Sequence, residues 1–433
     1  MRFSHVKAFI VRHPAAGLGV AAFLLYLPWL GAADLVTDEA KSALNIAYPH
    51  PPLVRWMMAA SQAIFGTNNF AVRLPVVIFG AVGVAVMYLL LMRLFDNRKS
   101  ALIGATIFAL LPAWVDFSRT GYLSVPLATC ALVMLLGIAR LSERHDDKTG
   151  HRLLFIGLAV GLWCQLQAVL LVPVWAWWVW RNRATLRTSP RALAYVALGA
   201  AQIVAFGLYI LSSPQILADT FAFARGGSSL VADQGGGVHG FGWLFSSAGA
   251  WVIAVVALLL LNLLLRRGHL KQPEGMAIGV MSALFVVLFF SRAANYYTPY
   301  LAAMAVPLAV LLSTKFEPHH VRAFGASTAI VCLFLLPLAY ATGPTQTFWR
   351  RNTKEFSVAL KGEHDVIVLG LVGYDAQFYL PVPMTKWPND PNRRLSKTVL
   401  VFEPQTMTEK EKTVLKGLSF DRLIGPVAVY RIK

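Results

Sequence analysis

The chain has 433 residues, of which 57% are hydrophobic and only 14% charged, with a formal net charge of +18. That balance is too apolar for a soluble domain of this length and marks an integral membrane protein. The positive charge is explained by its distribution along the chain, so nucleic acid is excluded as a partner.

Apolar runs near the roughly 20 residues that cross a bilayer as a helix lie at 14–33, 70–92, 101–115, 125–141, 191–212, 241–265, 275–290, 297–313 and 323–341. The run at 153–180 is longer, 28 residues, and fits one tilted helix or a short hairpin. Arg and Lys gather in alternate connections: Arg2/Lys7/Arg12, Arg93/Arg98/Lys99, Arg140/Arg144/Lys148/Arg152, Arg181/Arg183/Arg187/Arg191, Arg266/Arg267/Lys271 and Lys315/Arg322. These clusters hold 19 basic residues, against six in the intervening loops up to residue 341. Short basic loops stay on the cytoplasmic side. The alternation closes only if 153–180 is a hairpin, which gives about eleven membrane helices, a cytoplasmic N-terminus and a tail from 342 outside. The first apolar stretch follows a basic segment as a signal peptide would, but the later helices need its orientation, so it reads as a retained anchor. Cys130, Cys164 and Cys332 fall inside predicted helices and suggest neither a disulfide framework nor a metal knuckle.

This topology puts Asp34, Asp38, Glu39, Asp116, Asp219 and Asp233 on the outer face, with His50, His239, Arg55, Arg119, Arg225 and Arg292. The loops concerned are 34–69, 116–124, 213–240 and 291–297. Charged groups close to hydrocarbon are costly unless paired or bound to something, which makes them functional candidates. The first loop contains LVTDEAKSALNIAYPHPPLVRWM at 35–57, an acid pair followed by His50 and two prolines. Proline suits the first turn of a helix, so residues 53–65 are expected as a short helix along the membrane surface. A cleft beside it would suit a substrate with a lipid tail and a polar head. The segment ARGGSSLVADQGGGVHG in the loop 213–240 is glycine-rich and reads as a lid. His50, His239 and a carboxylate could bind a divalent metal, although no ligand spacing marks such a site, and no other cofactor is implied. In the tail, DVIVLGL, KTVLVF and PVAVYRIK alternate with a helix-like stretch at 408–418, a pattern that predicts a small α/β domain at 342–433 outside the membrane. No nucleotide-binding glycine fingerprint, phosphate loop or HExxH motif occurs in the chain.

Several stretches resemble the GT-C class of lipid-phosphate-sugar glycosyltransferases, in the bacterial branch that groups aminoarabinose transferases with protein-mannosyltransferase-like enzymes. They are TDEA, YPHPPLVRWMMAASQAIFG and NNFAVRLPVVIFGAVGV, then SRTGYLSVPLA at 118–128 and FFSRAANYYTPYLAAMAVPLAVLL at 289–312. The resemblance covers roughly 15–341 and is strongest over 37–128. It implies a GT-C-like polytopic membrane domain over 1–341 and a hexosyl- or pentosyltransferase taking its sugar, with inversion, from a polyprenyl-phosphate carrier. The acceptor would be a lipid or glycan of the envelope, such as lipid A or a core glycan, or a protein. By the same resemblance Asp38 is the catalytic carboxylate, supported by Glu39, and His50, Arg292 and Tyr296 lie by the donor phosphate. Arg55 joins that set on charge, while Arg119, Ser124, Arg225 and His239 are candidates for contacts to substrate. The chain departs from the family pattern at Ser124, where an Asp is usual, at Pro49, where an acid is frequent, and at Gln167, near a usual Lys. A binding subunit without catalysis and a transporter of lipid-linked sugar are the competing readings. The expected place is the bacterial cytoplasmic membrane, among membrane lipids, with the active site on the periplasmic face.

Overall fold

The computed structural model describes residues 12–212, 214 and 348–431, apart from short stretches at 36, 46–49, 97, 111, 122, 364–365, 370–373, 381, 383, 387–397 and 403–406. The predicted spans between 241 and 341, the lid and Cys332 lie outside the described residues. The chain divides into two compact units, one of residues 1–28, 47–57 and 73–342, the other of 29–46, 58–72 and 343–433.

Helices α1 (Pro14–Tyr26), α2 (Thr37–Ala43), α3 (Leu53–Phe65), α4 (Asn69–Phe95), α5 (Arg98–Leu110), α6 (Pro112–Ser118), α7 (Ser124–Glu143), α8 (Lys148–Cys164), α9 (Leu171–Arg181), α10 (Arg183–Arg187) and α11 (Pro190–Leu211) follow in order. Among the described residues three helices, within α4, α7 and α11, are long and apolar enough to cross a membrane. One expected span ends early. The run from residue 14 stays helical only to Tyr26, because Pro28 cannot continue it and Trp29 takes a φ of 55°. Within the run from 101, helix is described to Leu110 as α5 and again from Pro112 as α6. The long run at 153–180 divides: Gln165 is extended (φ −155°, ψ 148°), a 3-10 turn spans Leu166–Leu170, and α9 follows.

Helices α7 and α8 form a hairpin closed by residues 144–147. Its seam is built on small residues, as in membrane helix pairs, where backbones must approach closely. A Cβ on Gly157 would lie 2.6 Å from the backbone nitrogen of Met134, and one on Gly137 would lie 2.5 Å from that of Leu154. Asp147 caps α8, accepting from the Thr149 N–H at 2.9 Å, and pairs with Arg140 at 2.6 Å. Away from this seam Val20, Leu24, Leu193, Val204 and Leu208 are each more than half exposed, a surface suited to lipid.

In the second unit, α12 (Phe348–Ala359), β1 (Val366–Leu369), α13 (Tyr374–Tyr379), β2 (Met384–Lys386), β3 (Thr398–Val401), α14 (Glu409–Leu415), β4 (Ser419–Ile424) and β5 (Val427–Arg431) build a five-stranded sheet of order β2-β1-β3-β5-β4. β1 pairs in parallel with β2 and β3, whereas β5 is antiparallel to β3 and β4. The unbroken apolar runs of β1 and β3 are buried at every position, as strands covered on both faces must be. One face packs Val366, Val368 and Leu400 against Trp349 and Phe356 of α12; the other packs Ile367, Val399 and Val401 against Met407 and Leu415. Thr408 and Glu411 close a reciprocal capping box at the start of α14.

Two predictions follow from these contacts. Gly157→Ala places a methyl in the α7–α8 seam and should lower the thermal midpoint of detergent-solubilised protein, by about 1–3 kcal/mol of stability. Gly207→Ala, with no atom of the described residues within 4 Å of the added carbon, should leave the midpoint unchanged or raise it. At Asp147 burial raises the pKa, but the bond from Arg140, the N–H groups of Thr149 and Gly150 and the Arg140 charge outweigh it, so the carboxyl titrates below its ordinary value. Its contribution is therefore complete above the ordinary carboxylate pKa near ~4 and is lost as the pH falls through the lowered folded value. Asp147→Asn keeps the cap without the charge, and its midpoint should fall less than wild type between about pH 5 and 3.

Candidate active site

The acid pair lies in the second unit, on the seven-residue helix α2, with Thr37 and Asp38 in its first turn. Glu39 and Ala40 are fully buried, and Lys41 and Ser42 nearly so. A buried carboxylate or ammonium must be paired, and both Glu39 and Lys41 are engaged in polar interactions.

The segment around α2 is tied down by groups distant in sequence but in the same unit. The Tyr379 hydroxyl accepts from the Leu35 N–H at 2.7 Å and donates to the Asn69 side-chain oxygen at 2.8 Å. The Asn69 amide donates in turn to the Ala33 carbonyl at 2.7 Å. The Asp34 carboxylate, 2% exposed, accepts from the Trp349 N–H at 2.8 Å. At the other end Gln62 donates to the Ala43 carbonyl at 3.0 Å, satisfying a terminal acceptor of α2. α13 packs along α2, and Trp349 stacks on Tyr379 with centroids 5.9 Å apart.

A second polar cluster lies in the first unit and gathers the stretch after the acid pair. Pro51 and Pro52 precede α3, whose first turn is closed by the bond from the Trp56 N–H to the Pro52 carbonyl at 2.9 Å. Trp56, Ile64 and Phe65 are more than half exposed while Val54 and Met58 are buried, as in a helix lying on a membrane surface. The break at Gln165 frees the Leu166 N–H, which donates to His50 Nδ1 at 3.4 Å. With Nδ1 accepting, the neutral ring carries its proton on Nε2, as a donor. The Tyr209 hydroxyl donates to the His50 carbonyl at 3.2 Å, and Arg55 reaches the same carbonyl at 3.5 Å. Trp163 packs edge-on against Tyr209 and donates to Gln202 at 2.9 Å. Burial pulls the Arg55 guanidinium down from its ordinary pKa, with Tyr209 partly restoring it. It stays charged at physiological pH.

The other predicted residues are dispersed. Arg119 donates to the carbonyls of Tyr26 at 3.2 Å and Pro28 at 2.6 Å, so its described bonds go to the end of α1. Ser124 opens α7, and its buried hydroxyl has no hydrogen-bond partner among the described residues. Arg225, His239, Arg292 and Tyr296 lie outside the described residues. Among the described residues no three His, Cys, Asp or Glu side chains come together as a metal site would require. Sequence reasoning missed Tyr379, Trp349, Asn69, Gln62 and Tyr209. Asn69 stood within a recognised motif, but nothing local to Tyr379 or Trp349 signals a tie to residues some 310 positions earlier.

Residues 49–209 match the family described as dolichyl-phosphate-mannose-protein mannosyltransferase. The chain is 26% identical over 379 residues to undecaprenyl phosphate-alpha-4-amino-4-deoxy-L-arabinose arabinosyl transferase 1 of Pseudomonas fluorescens, covering 79% of this chain and 62% of that protein. It is 30% identical over 166 residues to the like-named transferase of Erwinia tasmaniensis, covering 36% of this chain and 30% of that protein. The chain thus spans less than two thirds of the curated relatives it matches. Among solved structures, ArnT from Cupriavidus metallidurans bound to undecaprenyl phosphate is similar with a TM-score of 0.68 at 15% identity, covering 98% of both chains. Arabinofuranosyltransferase AftD from Mycobacteria is similar with a TM-score of 0.56 at 12% identity, covering 97% of this chain and 40% of that one. The fold is similar to theirs, and these neighbours are polytopic membrane proteins of the GT-C class. Within that class, the resemblance to the branch of aminoarabinose transferases and protein-mannosyltransferase-like enzymes is borne out.

The bond from Tyr209 to the His50 carbonyl leads to a further prediction. Tyr209→Phe should lower the thermal midpoint modestly, by about 0.5–1.5 kcal/mol, while Tyr195→Phe, whose hydroxyl accepts from the exposed Arg152, should have a smaller effect.

Proposed function

We propose that the chain is a membrane glycosyltransferase that moves a sugar from a polyprenyl-phosphate carrier to an acceptor of the bacterial envelope, on the periplasmic face of the cytoplasmic membrane. The observation that carries this reading is the buried, anchored segment bearing Asp38 and Glu39, in a chain whose relatives are named as undecaprenyl-phosphate-dependent arabinosyl transferases. The proposed topology is about eleven membrane helices over 1–341 with the N-terminus cytoplasmic, and a periplasmic α/β domain over 342–433. The alternation of basic loops supports that orientation.

In the proposed reaction the anomeric carbon–oxygen bond to the carrier phosphate breaks as a bond to an acceptor oxygen forms on the opposite face of the sugar. The phosphate is a good leaving group, so positioning and charge neutralisation supply most of the acceleration. Arg55 and Arg292 suit a phosphate through their planar forks. His50, with its proton on Nε2, donates to the same group, and Tyr296 belongs to this set by resemblance. Asp38 takes the proton of an acceptor hydroxyl, as the base of an inverting glycosidase does from water, and Glu39 supports it. Were the acceptor a phosphate, no proton would need removal, and Asp38 would orient the donor. Arg119, Ser124, Arg225 and His239 are assigned to the surrounding substrate loops, and a divalent metal at the histidines is compatible with this chemistry.

The buried Ser124 hydroxyl, where the family carries an acid, favours a second reading, a subunit that binds lipid-linked sugar without catalysis. Mass spectrometry of envelope lipids and glycans in wild type, deletion and Asp38→Asn strains separates the two. A sugar lost from both mutants, with the unused carrier-linked sugar accumulating, is expected of a transferase, with transfer down roughly 10²- to 10⁴-fold in Asp38→Asn. Retention of the sugar in Asp38→Asn but not in the deletion would leave the binding subunit.

A further inference from the structure

We infer that Tyr379 is a positioning residue for the acid pair, so that the tail, though remote in sequence, is a working part of the acid-bearing site. This rests on the proposed role of Asp38. The Tyr379 hydroxyl sits between two partners, accepting from the Leu35 N–H at 2.7 Å and donating to Asn69 at 2.8 Å. Leu35 is three residues before Asp38 and almost fully buried. A second tie lies one residue earlier, where the Asp34 carboxylate accepts from the Trp349 N–H at 2.8 Å. The ring of Tyr379 is held independently of its hydroxyl, stacked on Trp349 and edge-on to Phe378 at 5.1 Å. Removing the hydroxyl therefore leaves the ring packing in place and releases the Leu35 N–H and the Asn69 side chain, which itself holds the Ala33 carbonyl. The chemistry needs such a tie. The entry to α2 is a turn and bend followed by irregular backbone, with no strand or helix pairing among its described residues. A displacement of about 1 Å of a reacting group can cost on the order of 10²-fold in rate.

The test is Tyr379→Phe in the full-length protein in nanodiscs, read by hydrogen exchange and by transfer kinetics. Amide exchange in peptides covering 33–44 should quicken about tenfold, one hydrogen bond's worth of protection, with exchange in the β1 and β3 peptides unchanged. Turnover should fall roughly 10- to 100-fold with the KM for the polyprenyl-phosphate sugar within twofold of wild type. Asp34→Asn, whose amide oxygen still accepts from Trp349, should keep the turnover that Asp34→Ala loses. Unchanged exchange at 33–44, or unchanged turnover, overturns the inference. So does faster exchange in the sheet strands alongside the loop, which would make Tyr379 a fold-stabilising residue only. If wild type transfers no sugar from any polyprenyl-phosphate donor while the exchange pattern appears as expected, the proposed function fails and the tie to the loop stands.

Discussion

A polar group withdrawn from water must find its partner within the protein, and near a bilayer this requirement is strict. The first loop of this chain shows what it demands. Asp34, Glu39 and Lys41 are buried within eight residues of one another, and the carbonyls and N–H groups around them lie in a short helix and two turns. A seven-residue helix satisfies little of its own backbone, since its first N–H and last C=O groups have no internal partners. Gln62 reaches the terminal carbonyl at 43, Tyr379 and Asn69 hold the main chain ahead of the helix at 35 and 33, and the Trp349 N–H donates to the Asp34 carboxylate.

The other polar cluster answers the same demand by different means. There a helix is interrupted so that one N–H is left to meet a side chain. The extended Gln165 and the 3-10 turn after it expose the Leu166 N–H to His50. Irregular backbone at such a place is tolerated where it lines a cavity or is buried in protein. Its effect is chemical, because it selects which ring nitrogen of His50 donates. Arg55, 7% exposed on the buried side of α3, is the charge-carrying counterpart. A buried guanidinium interacts more strongly with any charge near it than one in water does.

Much of this was legible along the chain. The surface helix after the two prolines begins and ends where the pattern places it, at Leu53 and Phe65, because Pro51-Pro52 start it and Gly66, with φ of 81°, stops it. The apolar tail runs DVIVLGL, KTVLVF and PVAVYRIK contain β1, β3 and β5, and the helix-like stretch at 408–418 contains α14. Two strands escaped. β2 has three residues, and β4 alternates polar and exposed positions at the sheet edge with a register shift at Phe420/Arg422, so neither carries an apolar run. The early end of the first span escaped too, since hydropathy averages over Pro28, which lies just past the end of that helix. Of the candidate site, residue types and order were readable, while the tie to Tyr379 was not. Hydrogen bonding across 344 positions leaves no periodicity to find.

The division of the chain explains why that long-range tie exists. Ninety-odd tail residues lie near the low end of what folds alone, for want of buried surface. The compact unit they join also contains 29–46 and 58–72, and it gains what those segments bring: Asp34 to the N–H of Trp349, Asn69 to Tyr379, and the face of α2 against α13. Trp349, stacked on Tyr379, also packs on Phe356 and Phe402 beside the sheet. Loosening the aromatic group would free the acid-bearing loop, whereas loss of the loop's hydrogen bonds alone leaves the sheet's packing in place. Substitutions in the tail core should accordingly reach the acid pair through these bonds.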